Sequence, residues 1–156
     1  MLKVDLRDIA NGPVDTTGRL EPDDAVFEGL GLPLLGPVDV SGQLLATGTE
    51  EYLWRVHLRG QLQVTCRRCL TEVTLPLDAA VDVMFSADPD AADDPSVYPV
   101  PAPITHVDVR SAVREEIAFV VPAFVLCRED CKGLCQRCGA DLNAGPCGCT
   151  AAAEPV

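Results

Sequence analysis

Residues 52–85 read YLWRVHLRGQLQVTCRRCLTEVTLPLDAAVDVMF, and this stretch decides the fold. Apolar and polar residues alternate on both sides of Cys66 and Cys69, which is the period-two pattern of strands with one buried face. The apolar positions are Tyr52, Trp54, Val56, Leu58, Leu62, Val64 and Cys66 in the first run, and Val73, Leu75, Leu77, Ala79, Val81, Val83 and Phe85 in the second. The pattern predicts a β-hairpin with the two cysteines at its tip.

Weaker patterns extend this hairpin into an antiparallel meander. Alternation over residues 38–46 predicts a preceding strand, and alternation over residues 2–6 predicts a short first strand. Residues 11–37 are rich in glycine, proline and acidic residues, and we interpret them as a long irregular connection. Residues 86–99, SADPDAADDPSVYP, carry four aspartates and three prolines and predict a mobile acidic loop.

A single amphipathic helix is predicted after this loop. Asp108 is placed as an N-cap, and Pro122 ends the pattern. The apolar residues at helical spacing between them are Val109, Ala112, Val113, Ile117, Val120 and Val121. We expect this helix to cover one face of the sheet.

These elements predict an α+β fold, namely an antiparallel β-meander or partly closed sheet with one packed amphipathic helix and a small cysteine-rich C-terminal tail. Residues 1–122 are expected to form the core, with the acidic loop at 86–99. Residues 123–149 are expected to form a zinc-binding tail packed near the 66–69 knuckle, which is the turn that carries Cys66 and Cys69. Residues 150–156 are expected to form a disordered C-terminus. The tail is poor in apolar residues after Cys127, so it requires something other than a hydrophobic core to hold it.

The spacing of the eight cysteines indicates metal binding. It is C-x2-C, a gap of 57 residues, and then C-x3-C-x3-C-x2-C-x8-C-x-C. A CxxC turn holds two thiolates near one edge of a tetrahedron, and two such pairs complete a four-thiolate zinc site with Zn–S distances of about 2.3 Å. The eight thiols therefore predict two zinc ions, with the ligands Cys66, Cys69, Cys127, Cys131, Cys135, Cys138, Cys147 and Cys149.

Two groupings of these thiols are compatible with the spacing. The first joins Cys66 and Cys69 to Cys127 and Cys131, and it leaves Cys135, Cys138, Cys147 and Cys149 as a second site. The other closes Cys127, Cys131, Cys135 and Cys138 on themselves and sends Cys147 and Cys149 back to the hairpin. We favour the first grouping, because Pro122 ends the helix and leaves the chain a short path to the hairpin tip.

Composition and charge limit the function. With 12 basic and 24 acidic residues the net charge is −12, which argues against non-specific attraction to nucleic acid or to an anionic membrane. The first ten residues, MLKVDLRDIA, lack the apolar region of a signal peptide, and no apolar run approaches the ~18 residues of a membrane span. We expect a cytoplasmic protein without a membrane partner or a small-molecule substrate.

The basic residues are unevenly placed along the chain. Seven of the twelve lie close to the predicted knuckles, namely Arg55, Arg59, Arg67, Arg68, Arg128, Lys132 and Arg137. Arg55, His57 and Arg59 share one face of a strand, and together with Arg67 and Arg68 they predict a row of positive charge without an intervening acid. This row is either a surface that contacts RNA or a protein partner, or a solubilising polar face.

The sequence predicts no catalytic residues. It contains no apparent Ser–His–Asp arrangement, phosphate-binding glycine loop or HExxH motif. His57 lies on the polar face of a strand and His106 precedes the helix. We therefore expect a non-enzymatic protein, and the residues by themselves support a zinc-binding interaction module.

The run from Pro122 to Cys149, PAFVLCREDCKGLCQRCGADLNAGPCGC, combined with the upstream strand–CRRCL–strand, resembles the YceD family. This family of bacterial and plastid proteins is named for large ribosomal RNA subunit accumulation. The resemblance covers residues 38–149; Cys66 and Cys69 match the first CxxC of the family, and the tail cysteines that match are Cys127, Cys131, Cys135 and Cys138.

The resemblance implies a zinc-stabilised factor in large ribosomal subunit biogenesis. Its partner would be 23S-type precursor rRNA or a ribosomal protein. Two other classes of function remain open from the sequence. One is a sensor that uses the cysteines for thiol or zinc redox chemistry or for detecting metal, and the other is a cofactor of an rRNA-processing nuclease.

Overall fold

A computed structural model describes residues 1–149, so the disorder predicted for residues 150–156 lies outside the described part of the chain. The fold is α+β, as the sequence predicts, and the chain divides into two compact units. Unit 1 comprises Met1–Leu62 and Pro76–Val121. Unit 2 comprises Gln63–Leu75 and the chain from Pro122 onward, so the hairpin tip is grouped with the cysteine-rich tail rather than with the core.

The described residues contain seven strands, two α-helices and two short 3-10 helices, Ala25–Phe27 and Pro89–Ala91. The strands are β1 (Lys3–Asp5), β2 (Val14–Leu20), β3 (Val38–Gly48), β4 (Glu51–Thr65), β5 (Glu72–Ser86), β6 (Val97–Pro99) and β7 (His106–Asp108). The helices are α1 (Leu6–Ile9) and α2 (Arg110–Val120). A five-stranded sheet has the order β2-β3-β4-β5-β6, whereas β1 pairs antiparallel with β7 in a separate two-stranded sheet.

The predicted hairpin forms strands β4 and β5. Along β4, alternate side chains are buried at Tyr52, Trp54, Val56 and Leu58, because the pleat of a strand points successive side chains to opposite faces. Trp54 is fully buried, and its ring centroid lies 6.4 Å from that of Phe85 on β5. This aromatic pair lies in the core of unit 1.

Strand β2 corrects the interpretation of residues 11–37 as irregular. It pairs antiparallel with β3 from Val14 opposite Leu44 to Leu20 opposite Val38. The strand has no clear apolar alternation because Thr16, one of its two buried residues, is polar. The Thr16 hydroxyl accepts a hydrogen bond of 2.8 Å from Nε1 of Trp54, which satisfies the only polar atom of the indole ring.

The expectation of a mobile loop over residues 86–99 was wrong for residues 97–99, which form a strand. Residues 97–99 form β6, which pairs parallel with the end of β5. The Tyr98 ring lies 5.6 Å from that of Phe85, and its hydroxyl donates a hydrogen bond of 3.1 Å to Glu116 of α2. Burial and the neighbouring Glu116 carboxylate raise the pKa of Tyr98. Apolar contact by one tyrosine thus orders the end of an otherwise polar segment.

Helix α2 confirms the predicted amphipathic helix, with a different N-cap. Asp108 ends β7, and the capping position is Val109. The Asp108 carboxylate still accepts a hydrogen bond from the backbone N–H of Arg110, at 3.1 Å. The helix buries Ala112, Val113 and Ile117 in unit 1. Within residues 1–149, no helix combines the length and apolar character needed to cross a membrane.

The Thr16–Trp54 hydrogen bond generates a stability prediction. Replacing Thr16 by valine keeps the shape of the side chain but leaves the buried indole N–H without its acceptor, so we expect a loss of about 1–3 kcal/mol in the free energy of unfolding. Urea denaturation followed by tryptophan fluorescence measures this loss. Thr17→Val is the matched control, because Thr17 is exposed on the same strand. Equal stability of the two variants would contradict the assigned role.

Candidate metal centres

The first group of thiols, cluster 1, consists of Cys66, Cys69, Cys127 and Cys131, whose sulfur atoms all lie within 4.8 Å of one another. The Sγ atoms of Cys66 and Cys131 are 3.7 Å apart, and those of Cys69 and Cys127 are 3.6 Å apart. A disulfide would require about 2.0 Å. A tetrahedron with metal–sulfur distances of about 2.3 Å has edges of roughly 3.8 Å, so the spacing fits four thiolates around one ion.

The hairpin tip positions the first two thiols of cluster 1. The Cys66 N–H donates to the Thr71 carbonyl at 2.8 Å, and the Leu70 N–H donates to the Cys66 carbonyl at 3.0 Å. Leu70 has a φ of 63°, a left-handed conformation that leucine rarely adopts, and its side chain is 62% exposed. The chain therefore turns back directly after Cys69.

Backbone N–H groups of this turn and of the tail point at the Cys66 sulfur. The N–H of Cys69, with those of Cys127 and Arg68, lowers the pKa of the Cys66 thiol to about 6. Cys127 is exposed as a residue, but its sulfur faces the other three thiols. This local desolvation, together with hydrogen bonding to Cys69, raises the pKa of Cys127 to about 12. Backbone N–H donors therefore favour the thiolate form of Cys66, whereas desolvation disfavours the thiolate form of Cys127.

The second group, cluster 2, consists of Cys135, Cys138, Cys147 and Cys149, whose sulfur atoms also lie within 4.8 Å of one another. The turn after Cys138 uses Gly139 at a φ of 73°, and its N–H donates to the Cys135 carbonyl at 2.8 Å. This position corresponds to Leu70 in the first turn. None of the four cluster 2 residues is buried, whereas Cys66, Cys69 and Cys131 of cluster 1 are.

The electrostatics of cluster 2 repeat those of cluster 1. The backbone N–H groups of Cys138 and Arg137 lower the pKa of Cys135 to about 6. Hydrogen bonding to Cys138 and Cys135 raises the pKa of Cys149 to about 12. N–H donors aimed at sulfur stabilise the thiolate, which is the form that binds metal. In donor type, spacing and electrostatics, each cluster can hold one metal ion.

The structure assembles the eight thiols in the first of the two predicted groupings. Cys147 and Cys149 join Cys135 and Cys138, and they do not return to the hairpin thiols. The binding of an ion at each cluster, and the identity of that ion, stay predictions.

Two further side chains, those of Arg68 and Asn143, contact a residue of cluster 1. The spacing of the cysteines does not predict this role for either of them. Nη1 of Arg68 donates to the Cys131 carbonyl at 2.9 Å, so this guanidinium braces the backbone of a ligand-bearing residue. Nδ2 of Asn143 donates to the Cys131 sulfur at 3.3 Å and lowers the pKa of that thiol. The only sequence signal for Asn143 is its place in the run GADLN after Cys138.

The predicted row of positive charge is interrupted by carboxylates, so the expectation of a row without an intervening acid was wrong. Arg55 lies 3.8 Å from Asp82, and His57 pairs with Asp78 on the neighbouring strand. The hydrogen bond from His57 lowers the pKa of Asp78. In the β3–β4 register, Arg59 lies opposite Asp39. The carboxylates come from strands on either side of β4, which sequence adjacency along β4 does not reveal.

Charge differs strongly between the two units. Unit 1 has seven basic and nineteen acidic residues, a net charge of −12. The described part of unit 2 has five basic and four acidic residues, a net charge of +1 before any metal or thiolate is counted. Its basic residues, all exposed, are Arg67, Arg68, Arg128, Lys132 and Arg137. Arg128 lies 3.7 Å from Asp130.

The fold and the two clusters define an α+β protein with paired four-cysteine centres. A family model described as large ribosomal RNA subunit accumulation protein YceD matches residues 54–155, which is more than half of the chain. The chain therefore belongs to the YceD family, as its cysteine-rich run predicts. No solved structure matches it.

Curated relatives match part of the chain. Uncharacterized proteins of Mycobacterium tuberculosis and Mycobacterium bovis are each 26% identical over 83 residues, covering 52% of this chain and 40% of the relative. The chloroplastic large ribosomal RNA subunit accumulation protein YCED homolog 1 of Arabidopsis thaliana is 31% identical over 49 residues, covering 31% of this chain and 15% of the relative. The matched part thus spans less than half the length of each of these relatives.

The grouping of the thiols generates a prediction about stoichiometry. Replacing Cys147 by serine removes one ligand of cluster 2, so we expect the purified variant to carry one metal ion where the unsubstituted protein carries two. Elemental analysis together with titration of the remaining thiols measures this. Cys69→Ser is the matched variant for cluster 1 and should also lose one ion. Two ions in either variant, or fewer than one ion in the unsubstituted protein, would contradict the prediction.

Proposed function

We propose that this protein is a non-enzymatic factor in large ribosomal subunit biogenesis, acting in the cytoplasm, whose unit 2 is held by two zinc ions and contacts precursor rRNA. The observation that carries the proposal is the pair of four-cysteine clusters set among exposed basic residues. The family match, named for large ribosomal RNA accumulation, supplies the biological context.

Zinc is the proposed ion because of the donor set. Eight sulfur donors in two tetrahedral groups favour a soft or borderline ion that is complete with four ligands. Zinc is the usual occupant of four-thiolate structural sites. The role is structural because each cluster supplies four protein ligands and leaves no position for a substrate. When bound, zinc would offset half of the charge of four thiolates and cross-link the chain segments that carry the thiols.

Unit 2 has little else to hold it. The buried residues of its core cluster are Cys66, Cys69 and Cys131, packed against partly buried Val73, Leu126 and Leu134. Burial of so few apolar side chains contributes only a few kcal/mol. A structural zinc site contributes about 10–16 kcal/mol, comparable with the stability of a whole domain. Removal of zinc with a chelator should therefore unfold unit 2.

The proposed RNA contacts lie in unit 2. Arg55 and Arg59 of unit 1 lie among carboxylates, which would repel phosphate groups along with attracting the guanidinium groups. Arg68 already binds the Cys131 carbonyl, and Arg128 lies near Asp130. Arg67, Lys132 and Arg137 are the exposed basic residues best placed to contact phosphate. Four thiolates around a divalent ion carry a net charge of −2, so these side chains also offset charge at the clusters.

A ribosomal protein is the second candidate partner, and the charge of unit 1 favours it. A net charge of −12 on one unit attracts a strongly basic protein and disfavours phosphate. In this alternative the acidic unit holds an unassembled basic ribosomal protein. RNA requires a positively charged surface, whereas a basic ribosomal protein requires a negatively charged one. Variants that change the charge of one surface at a time therefore distinguish the two partners.

The rival classes of function make different predictions from the same thiols. A redox sensor requires a cluster that converts to disulfide under mild oxidation, with loss of bound metal and a change in partner binding. A nuclease cofactor requires cleavage of precursor rRNA to depend on the protein. Thiol titration after mild oxidation and incubation with precursor rRNA distinguish these classes from a structural zinc protein.

The charge distribution generates a binding prediction with an internal control. The triple variant Arg67→Gln, Lys132→Gln and Arg137→Gln should bind large-subunit precursor rRNA more weakly and with a flatter salt dependence. The slope should fall by roughly 0.7–0.9 for each phosphate contact removed. Arg55→Gln with Arg59→Gln is the matched control in unit 1 and should leave the slope unchanged. Circular dichroism and metal content verify folding of each variant.

Three outcomes decide between the partners. A reduced slope in the unit 2 variant alone supports the RNA contact. An effect confined to the unit 1 variant would return the contact to the β4 row, against our assignment. If neither variant changes affinity or slope, the RNA contact is wrong, and the ribosomal protein becomes the better candidate.

A further inference from the structure

Asn143 belongs to the loop of cluster 2, yet its side chain contacts a ligand of cluster 1. It follows Cys138 and precedes Cys147 in the chain, so both of its flanking cysteines are in cluster 2. Its Nδ2 atom nevertheless donates to the sulfur of Cys131 at 3.3 Å. Asn143 is therefore a direct link between the two clusters within unit 2.

The orientation of the Asn143 amide is fixed by its second contact. The backbone N–H of Lys132 donates to Oδ1 of Asn143 at 2.9 Å. Only the oxygen of a side-chain amide can accept a hydrogen bond, so the nitrogen must face the Cys131 sulfur. The backbone N–H of Asn143 donates to Oδ1 of Asp141 at 2.9 Å, and this bond fixes the position of Asn143 in the loop.

The segment that carries Asn143 has few other means of staying ordered. None of residues 135–149 is buried. Three of its backbone hydrogen bonds lie within the segment, from Cys135 to Ala140 at 2.8 Å, from Gly139 to Cys135 at 2.8 Å and from Ala144 to Asp141 at 3.2 Å. A fourth, from Leu142 to Gly133 at 2.9 Å, ties the segment to the preceding chain. An ion in cluster 2 would close this loop from both ends, through Cys135 and Cys138 before it and Cys147 and Cys149 after it.

We propose that Asn143 couples the two metal sites. Metal in cluster 2 closes the loop of residues 139–146, and the closed loop places the Asn143 amide on the Cys131 thiolate, where it stabilises the charge that binds metal in cluster 1. Thermodynamic linkage makes the effect reciprocal, so metal in cluster 1 also favours closure of the loop. The inference rests on the metal occupancy proposed above. It assigns a function to the GADLN run, which metal-ligand spacing alone leaves unexplained.

The experiment measures metal affinity at cluster 1 with and without cluster 2. Co²⁺ is titrated into the reduced, metal-free full chain, and thiolate-to-cobalt absorption reports binding; competition with a chelator of known affinity then gives the zinc affinity. In the Cys147→Ser, Cys149→Ser variant only cluster 1 can load fully. We expect its zinc affinity there to be 10–100-fold weaker than in the unsubstituted protein, the range found when an outer hydrogen-bond partner of a ligand is lost.

Variants of Asn143 test whether the residue carries this coupling. In Asn143→Ala, cluster 1 should weaken by the same 10–100-fold, and removing Cys147 and Cys149 in addition should cause little further loss. Asn143→Asp should weaken cluster 1 further, because a carboxylate can still accept from Lys132 but turns a charged oxygen towards the thiolate. Asn11→Ala, which removes the chain's other asparagine amide from an exposed site in unit 1, is the control and should change neither affinity.

The outcomes separate this inference from the metal proposal. An unsubstituted protein that binds no metal would refute both. Two ions in the unsubstituted protein, with the cluster 1 affinity unchanged to within twofold in the Cys147→Ser, Cys149→Ser variant, would refute the coupling alone. Cluster 1 binding by Asn143→Asp as strong as in the unsubstituted protein would also refute the coupling. If Asn143→Ala loses the metal of both clusters, the residue maintains the fold of the segment and the coupling is wrong.

Discussion

Unit 2 depends on the convergence of sulfur atoms from segments that are far apart in the chain. Sixty residues separate Cys66 and Cys127 in the chain, yet their sulfurs belong to one group within 4.8 Å. Four thiols at this distance repel one another once they ionise, and a divalent ion turns that repulsion into attraction. The backbone N–H groups aimed at Cys66 and Cys135 reduce the same repulsion. The loops of unit 2 follow from this requirement, because each must bring its cysteines to a common point.

Unit 1 obeys a different constraint, the burial of one face of a sheet together with its few polar atoms. The Trp54 indole is buried and needs an acceptor, which accounts for a threonine inside β2. Tyr98 likewise extends its hydroxyl to Glu116. Among the described residues, no buried side-chain nitrogen or oxygen lacks a hydrogen-bond partner. The buried polar atoms of unit 1 are therefore hydrogen-bonded, and its excess acidic residues can interact with other molecules.

Features that depend on neighbouring residues could be predicted from the sequence, whereas features that depend on contacts between distant segments could not. The hairpin of β4 and β5, helix α2 and the pairing of cysteines were predictable, because periodicity and ligand spacing are local properties of the chain. Strand β2 was not predicted because its buried Thr16 is polar and bonds to Trp54, which is distant in the sequence. Strand β6 was not predicted because its pairing with β5 and the packing of Tyr98 on Phe85 arise only in the folded chain. The ion pairs of β4 and the contact of Asn143 with Cys131 both depend on segments that are neighbours only after folding.

The unequal burial of the two clusters has a kinetic consequence. Exchange of a bound ion requires an incoming ligand to approach the metal or a sulfur directly, and burial of three of the four cluster 1 cysteines restricts this approach to the side of Cys127. Cluster 2 is open on several sides. If both clusters hold zinc as proposed, these two sites of identical ligand composition would exchange their ions at different speeds, and cluster 2 would be the first to equilibrate with the zinc of its surroundings.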